Sequence, residues 1–257
     1  RLNKFLKLTI NLKLAFNNPL IKKLLSKYIP SFLLNFYRRN LKKFHGNQLL
    51  DKKMLNYINY RNGFYIEMGA HDGITNSNTY YYEKKLNWKG ILVEPSNYFK
   101  NLKLNRSSKN YFYPYVAVPF NFKKKGISFE QIGPYSRSNE LISSKYLKWH
   151  KSKSNTVFNT YGHEKIKKIK TIHLNEILKK TKAPKLIDFF SLDVEGSELS
   201  VLKGVNFKEF NFQYLLIEIT NIDSGKHVKT IVNFLKNKRY ILINNLTSYD
   251  YLFKYSP

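Results

Sequence analysis

The chain has 257 residues, with 45 Lys and Arg against 17 Asp and Glu, a formal net charge of +28, 42% hydrophobic content and 16% aromatic content. That much apolar surface excludes disorder as the main state, and the length suits one α/β domain with an extension. The absence of cysteine excludes a disulfide framework and thiolate metal sites, and no apolar run is long enough for a spanning helix.

The positive charge points to a polyanion, either nucleic acid or an anionic membrane face. Only seven of the 45 basic residues are Arg. Arg is the usual residue for phosphate recognition, so nucleic acid is the less favoured partner. Heavy use of Lys, Asn, Ile, Tyr and Phe also matches A/T-rich codons. The lack of cysteine and of a spanning run fits a cytoplasmic protein, peripheral at a membrane. The chain opens on Arg1, so a targeting signal can lie outside it.

Residues 1–53 hold 13 Lys or Arg and one acid, Asp51. Leu20, Ile21, Leu24, Leu25 and Tyr28 recur at helical spacing, Pro30 interrupts, and Leu33, Leu34 and Tyr37 resume. Residues 1–59 therefore read as a basic amphipathic helical extension. Through residues 1–45 it could contact an anionic membrane, or its apolar face could pack on the domain behind it. Residues 60–257 read as the main domain.

A helix at 47–60 leads into a buried strand, Phe64 to Met68. After the glycine turn, Ser77, Asn78 or Thr79 caps a helix over Tyr80 to Leu86. Residues 90–94 form a second strand, 96–104 a helix, and 111–118 a third strand whose Pro114 implies a bulge or an edge. Residues 119–164 are polar, basic and irregular, where an acceptor-side insertion or lid would sit. Tyr135, Ser136, Trp149, His150 and His163 are its candidate acceptor contacts. Regularity returns with a strand at 165–173, a short amphipathic helix, and strands at 187–192 and 213–219. A helix at 226–237 and strands at 240–244 and 249–254 finish the chain. Alternating strands and helices predict an α/β, doubly wound and largely parallel sheet.

The chemistry is expected where carboxylates close buried strands. In FYIEMGAHDG, Glu67 precedes a turn with Gly69 and Gly73. Gly69, lacking a Cβ, permits a tight turn and close approach of a ligand. The pattern lacks the middle glycine of a pyrophosphate loop, because His71 stands there. GILVEPS ends the next strand on Glu94, placed to accept both hydroxyls of a ribose. A nucleoside with a cationic tail, S-adenosylmethionine, fits these features, with Val116 and Ala117 flanking its adenine. In SLDVEGSE the strand delivers Asp193 to the same sheet edge, as a general base for a hydroxyl or a metal ligand. Glu195 could serve the same site or only favour the positive end of the next helix, and Glu198 reads as first-turn helix chemistry. His71 either assists with protons or simply tolerates the turn's backbone angles. Carboxylates at one edge would attract magnesium or manganese, but no ligand spacing specifies a metal.

As a set, FYIEMGAHDGITNSNTYYYEKKLNWKGILVEPS at 64–96, KTIHLNEIL at 170–178 and IDFFSLDVEGSELSVLKGVNF at 187–207 resemble the FkbM family of S-adenosylmethionine-dependent methyltransferases. The resemblance spans roughly residues 60–245. It implies a class I methyltransferase (Rossmann-like) fold, with a seven-stranded, mostly parallel sheet, helices on both faces and the last strand antiparallel. It also implies O-methylation, often of a sugar hydroxyl in a glycan, glycolipid or natural product. By that resemblance Glu67, Gly69, Ala70 and Gly73 line the methionine end, Glu94 holds the ribose and Asp193 faces the methyl. The candidate cofactor set is completed by Asn78, Thr79, Pro95 and Ala117. The candidate catalytic residues are Asp193, Glu195 and His71. An RNA methyltransferase is the alternative enzyme, favoured by charge but lacking an N-P-P-Y-type element. A methyltransferase-like binding module without catalysis is the alternative of another class.

Overall fold

The computed structural model describes residues 42–133, 135–149, 152 and 164–257, without the side chains of 165–167. The amphipathic stripe of residues 20–37, most of the segment expected to meet a membrane, His150 and His163 lie outside the described residues. The chain divides between His45 and Gly46, and residues 46–257 form their own compact unit. The sequence reading placed the boundary near residue 60. The difference has a packing cause: Leu50, Met54 and Ile58 are buried in one core with Tyr65, Leu92 and Phe189.

Helix α1 covers only Leu50–Met54, after a 3₁₀ turn at Asn47–Leu49. The helix expected at 47–60 is shorter at both ends: Gln48 and Leu49 take left-handed φ of 47° and 61°, which delays its start, and it stops at Met54. Strand β1, Phe64–Met68, is buried along its whole length. It leads through a turn to α2, Tyr80–Leu86. Of the three cap candidates, Thr79 holds the N-cap position without a side-chain cap bond, while Ser77 Oγ, two residues earlier, accepts from the Thr79 and Tyr80 amides at 3.3 and 3.0 Å. β2 (Lys89–Val93), α3 (Phe99–Asn105) and β3 (Tyr111–Tyr113) follow.

The expected strand at 111–118 is split. Pro114 has no N–H to continue a ladder. β3 ends at the edge of the main sheet, and β4, Val116–Ala117, joins a second sheet. That three-stranded sheet has the order β4-β6-β5, with β5 at Gly126–Gln131 and β6 at Glu164–Ile172. Part of the stretch read as irregular, Gly126–Gln131, is therefore a strand, with a further helical run at 144–149. α4 (Leu174–Lys180), β7 (Leu186–Leu192), α5 (Glu198–Leu202) and β8 (Asn211–Glu218) come next. α6 (Lys226–Lys236), β9 (Tyr240–Asn245) and β10 (Asp250–Tyr255) complete the chain.

The main sheet has seven strands in the order β3-β2-β1-β7-β8-β10-β9. β10 runs antiparallel to both neighbours, and the other pairings are parallel. Alternate residues of a strand face opposite sides. Ile66, Ile91, Phe190 and Leu215 meet α4, α5 and α6 on one face. Tyr65, Leu92, Phe189 and Leu216 meet α1, α2 and α3 on the other. A sheet buried on both faces explains why its strands read as continuous apolar runs. From β1 the chain goes to β2 on one side, while β7 pairs on the other. The ends of β1 and β7 thus open the crevice where ligands bind in such sheets. Among the described residues no helix is long and apolar enough to cross a membrane.

Candidate active site

A cleft opens at the C-terminal ends of β1, β2, β4 and β7, with an empty volume, its solvent-open mouth included, of about 1150 Å³. Gly69, His71, Glu94, Pro95, Ala117, Asp193 and Glu195 line it. Seven residues singled out from separate stretches of sequence therefore meet at one place.

Gly69 lets β1 and β7 close on each other. Its φ is +78°, and a Cβ there would stand 1.9 Å from the Asp193 carbonyl oxygen. Its amide and that of Ala70 donate to the Val93 carbonyl at 3.1 and 3.2 Å, which ties the turn to β2. Gly69→Ala should cost about 2 kcal/mol or more, because left-handed strain adds to a backbone clash. A shift in the urea midpoint reads this directly, and an unchanged midpoint would show that the two strand ends can part.

Glu94 is buried and held by two backbone amides. His71 N donates to Oε2 at 2.7 Å and Ser96 N donates to Oε1 at 2.8 Å. Each oxygen keeps a lone pair for a hydroxyl, the arrangement a ribose diol requires. His71 has φ of +47° and its ring lies 3.8 Å from that of Tyr98, centroid to centroid. Its amide bond to Glu94 groups it with the ribose end of the cleft. Asp72 beside it is pushed up by burial, but the neighbouring His71 ring, 3.6 Å away, and hydrogen bonds from the Thr75 and Ile74 amides outweigh this and hold it well below the usual carboxylate range.

Not all of the candidate cofactor residues face the cleft. Glu67 accepts from Ser77 Oγ at 2.9 Å, the Asn78 amide at 2.8 Å, Thr79 Oγ1 at 2.6 Å and Arg106 Nη1 at 3.1 Å. Its carboxylate is therefore engaged behind the cleft wall, and Thr79 is engaged with it. Ala70 packs into the core, and a Cβ on Gly73 would strike Arg106 and Leu102. These residues shape the loop rather than line the cavity. The sequence reading assumed that a carboxylate after a strand faces the ligand. Here the nearer hydrogen-bond donors of its own loop capture it.

Arg106 was not singled out from sequence. Its fully buried guanidinium donates to Glu83, Glu67, Gly73 O, Ser77, Tyr65 and Thr79 over 2.7 to 3.2 Å. A signal was available: in a chain that uses Lys almost everywhere, a retained Arg marks a site needing a planar fork of donors.

A second pocket adjoins the cleft and shares Asn76, Asp193 and Glu195 with it. Its other polar walls include Asn78, Ser191, Glu218 and Asp250. Glu218 closes the buried run of β8 and pairs in register with Asp250 on β10. The sequence signal of Glu67, Glu94 and Asp193, a carboxylate closing a buried strand, is equally present at Glu218. Burial first, then Glu218, Glu195, Glu198 and Asp250, raises Asp193 well above the ordinary range. Burial and its acidic neighbours push Glu218 up to about 7, opposed by a hydrogen bond with Asp193. Both carboxyls therefore hold their protons to higher pH than ordinary carboxylates. Glu195, at φ +53°, is raised by burial, Glu218 and Glu198, with Arg137 opposing. Glu198 is the first residue of α5, as expected for a first-turn acid, and accepts from the Gly196 amide just before the helix at 2.8 Å. Of the insertion's candidates, Ser136 lines the cleft and Tyr135 the second pocket. Trp149 packs on Tyr146. Among the described residues no three His, Asp or Glu side chains are arranged to hold a metal ion.

The model for the methyltransferase FkbM domain matches residues 67–242. No curated protein matches the chain. Among solved structures, a METTL16 MTase domain aligns with a TM-score of 0.37 and 10% identity, over 80% of this chain. The chain spans 64% of the length of that structure, and so distant a likeness carries no argument. The strand order with its antiparallel β10, the crevice beside β1 and the domain match over most of the sequence agree: the chain belongs to the FkbM family of S-adenosylmethionine-dependent methyltransferases.

Proposed function

We propose that the protein is an O-methyltransferase that methylates a hydroxyl of a sugar in a glycan or glycoconjugate. The cleft fits the cofactor. Glu94, fixed by two amides, suits the ribose diol, and Val116 and Ala117 offer an apolar wall for the adenine. When bound, S-adenosylmethionine supplies an electrophilic methyl group. The chain's own part is to hold an acceptor hydroxyl in line and to take its proton.

The observation that carries the sugar reading is the second pocket. Amides, a serine and carboxylates line it, and it meets the cleft at Asp193 and Glu195. Such walls suit a ring of hydroxyls and repel phosphate. The acceptor proton passes to Asp193, and the proton that Asp193 shares with Glu218 settles on Glu218. The overall charge of +28 favours a polyanion at the surface, but the charge at the site opposes an RNA backbone there.

Calorimetric titration with S-adenosylmethionine and S-adenosylhomocysteine, followed by label transfer to glycan and RNA panels, tests the reading. Micromolar binding with label in glycans is expected. Label in RNA alone would overturn the acceptor, and no binding would overturn the enzyme. Glu94→Ala should weaken cofactor binding by about 1–3 kcal/mol, the cost of unpaired polar groups. Unchanged affinity in the same titration would move the ribose elsewhere.

A further inference from the structure

Four buried polar atoms of cleft-lining residues have no hydrogen-bond partner among the described residues. Two are the ring nitrogens of His71, at the ribose end; the other two are Nε of Arg137 and Oγ of Ser138, on residues 3% and 2% exposed. Both residues line the cleft. Leaving such groups unpaired is costly, so a partner from outside the chain is the physical expectation.

Arg137 is held rigidly for such a role. Its backbone exchanges two hydrogen bonds with Glu130 on β5, at 2.8 and 2.9 Å. Its Nη2 donates to Glu130 Oε2 at 3.2 Å and its Nη1 to the Tyr135 carbonyl at 3.1 Å. Those bonds engage both Nη atoms and leave Nε–H. Among the described residues that line the cleft, Arg137 is the only Lys or Arg, in a chain with 45 of them. The other formal charges in that lining are the acids Glu94, Asp193 and Glu195. A ligand carboxylate entering this cleft has one cation to meet.

We infer that Arg137 Nε–H and Ser138 Oγ–H bind the α-carboxylate of the cofactor's methionine tail, one donor to each oxygen. Glu195, on the same wall, complements the tail's ammonium group. This rests on the cofactor reading above. It adds the part of the site that separates a nucleoside with an amino-acid tail from a bare nucleoside. It also gives residues 126–138, which the sequence left irregular, a task in cofactor selection.

The test compares two ligands by calorimetry on the full chain. S-adenosylhomocysteine carries the tail, and 5′-methylthioadenosine keeps the nucleoside and sulfur but lacks it. Ser138→Ala removes an oxygen with no protein partner, so the fold should be undisturbed. It should weaken S-adenosylhomocysteine by roughly 10–100-fold, the range for a hydrogen bond to a charged group. Binding of 5′-methylthioadenosine should stay within about two-fold on the same reasoning. Arg137→Lys keeps the charge but loses the Nε donor, and should show the same one-sided loss. Equal losses for both ligands, or no loss for either, would overturn the assignment. If the unaltered chain binds neither ligand, the cofactor reading itself fails, an outcome distinct from the others.

Discussion

Arg106→Ala should destabilise the domain by about 3–5 kcal/mol, the range for stripping one partner from a buried ion pair. Arg106 closes the loop between β1 and α2 from behind. Its Nε lies 2.7 Å from Glu83 and its Nη1 lies 3.1 Å from Glu67, with the guanidinium fully buried. Burial alone would raise Glu83, yet Arg106, helped by Lys84 and the Ser107 amide, outweighs it and holds the carboxyl well below its ordinary range. Without the cation, Glu67 is left in a dry interior with only neutral donors, and Glu83 with neutral donors and the partly exposed Lys84 ammonium at 2.9 Å. They must either protonate or admit water, and both choices loosen the loop that carries Gly69 and His71. Arg106→Lys should recover little, because three ammonium hydrogens on one atom cannot serve acceptors spread around a planar fork. Guanidinium unfolding of the two variants reads the effect. A loss below about 1 kcal/mol for Ala would mean that the loop holds by its neutral bonds alone.

Asp193→Asn should reduce turnover by about 10²–10⁴-fold, the usual contribution of a positioned base, while leaving cofactor affinity within a few-fold. Asparagine preserves shape but cannot take the acceptor's proton or share one with Glu218. The same pair predicts a pH dependence. Glu218 is faced by Asp193, Glu198 and Asp250, and Lys53 counters the charge of Asp250. With Glu218 pushed up to about 7, the pair is fully protonated below that pH and cannot accept. Turnover should therefore rise as pH passes through about 7, and Glu218→Gln should remove that limb. Stability should move the opposite way. A group whose folded pKa is raised contributes stability that is present below its unfolded value and lost as pH rises through the folded one. For Glu218 that window runs from 4.5 to about 7. Glu218→Gln should thus be more stable than the unaltered chain at pH 8, with the difference vanishing near pH 4. A turnover profile unchanged in Glu218→Gln would remove the shared proton from the mechanism. Full turnover in Asp193→Asn would remove Asp193.

Local chemistry made much of the fold legible. FYIEM, KGILV and LIDFFSL read as buried strands because parallel strands covered on both faces need no polar alternation, and each formed within a residue or two of its expected place. Gly69 could be read because a tight turn and a close approach demand a residue without a Cβ. Pro114 announced an interruption but not that the chain would change sheets there, since the partner strand β6 lies more than 50 residues away. The short α1 was misjudged for a related reason. Helical spacing records which residues become buried, and Leu50, Met54 and Ile58 are buried whether or not the backbone between them stays helical.

The sequence by itself determined the class of sheet, the edge at which ligands gather and the carboxylates Glu94 and Asp193 that meet there. Those follow from strand ends, which are local. Only the tertiary structure decided what each carboxylate faces. Glu67 turns to Arg106, which lies 39 residues along the chain. Glu94 keeps lone pairs for a ligand, and burial together with Glu218 from the neighbouring strand raises Asp193. A carboxylate's role depends on which donors and charges come within a few ångströms in a low-dielectric interior. Those neighbours are brought by the packing of distant segments, which no local pattern records.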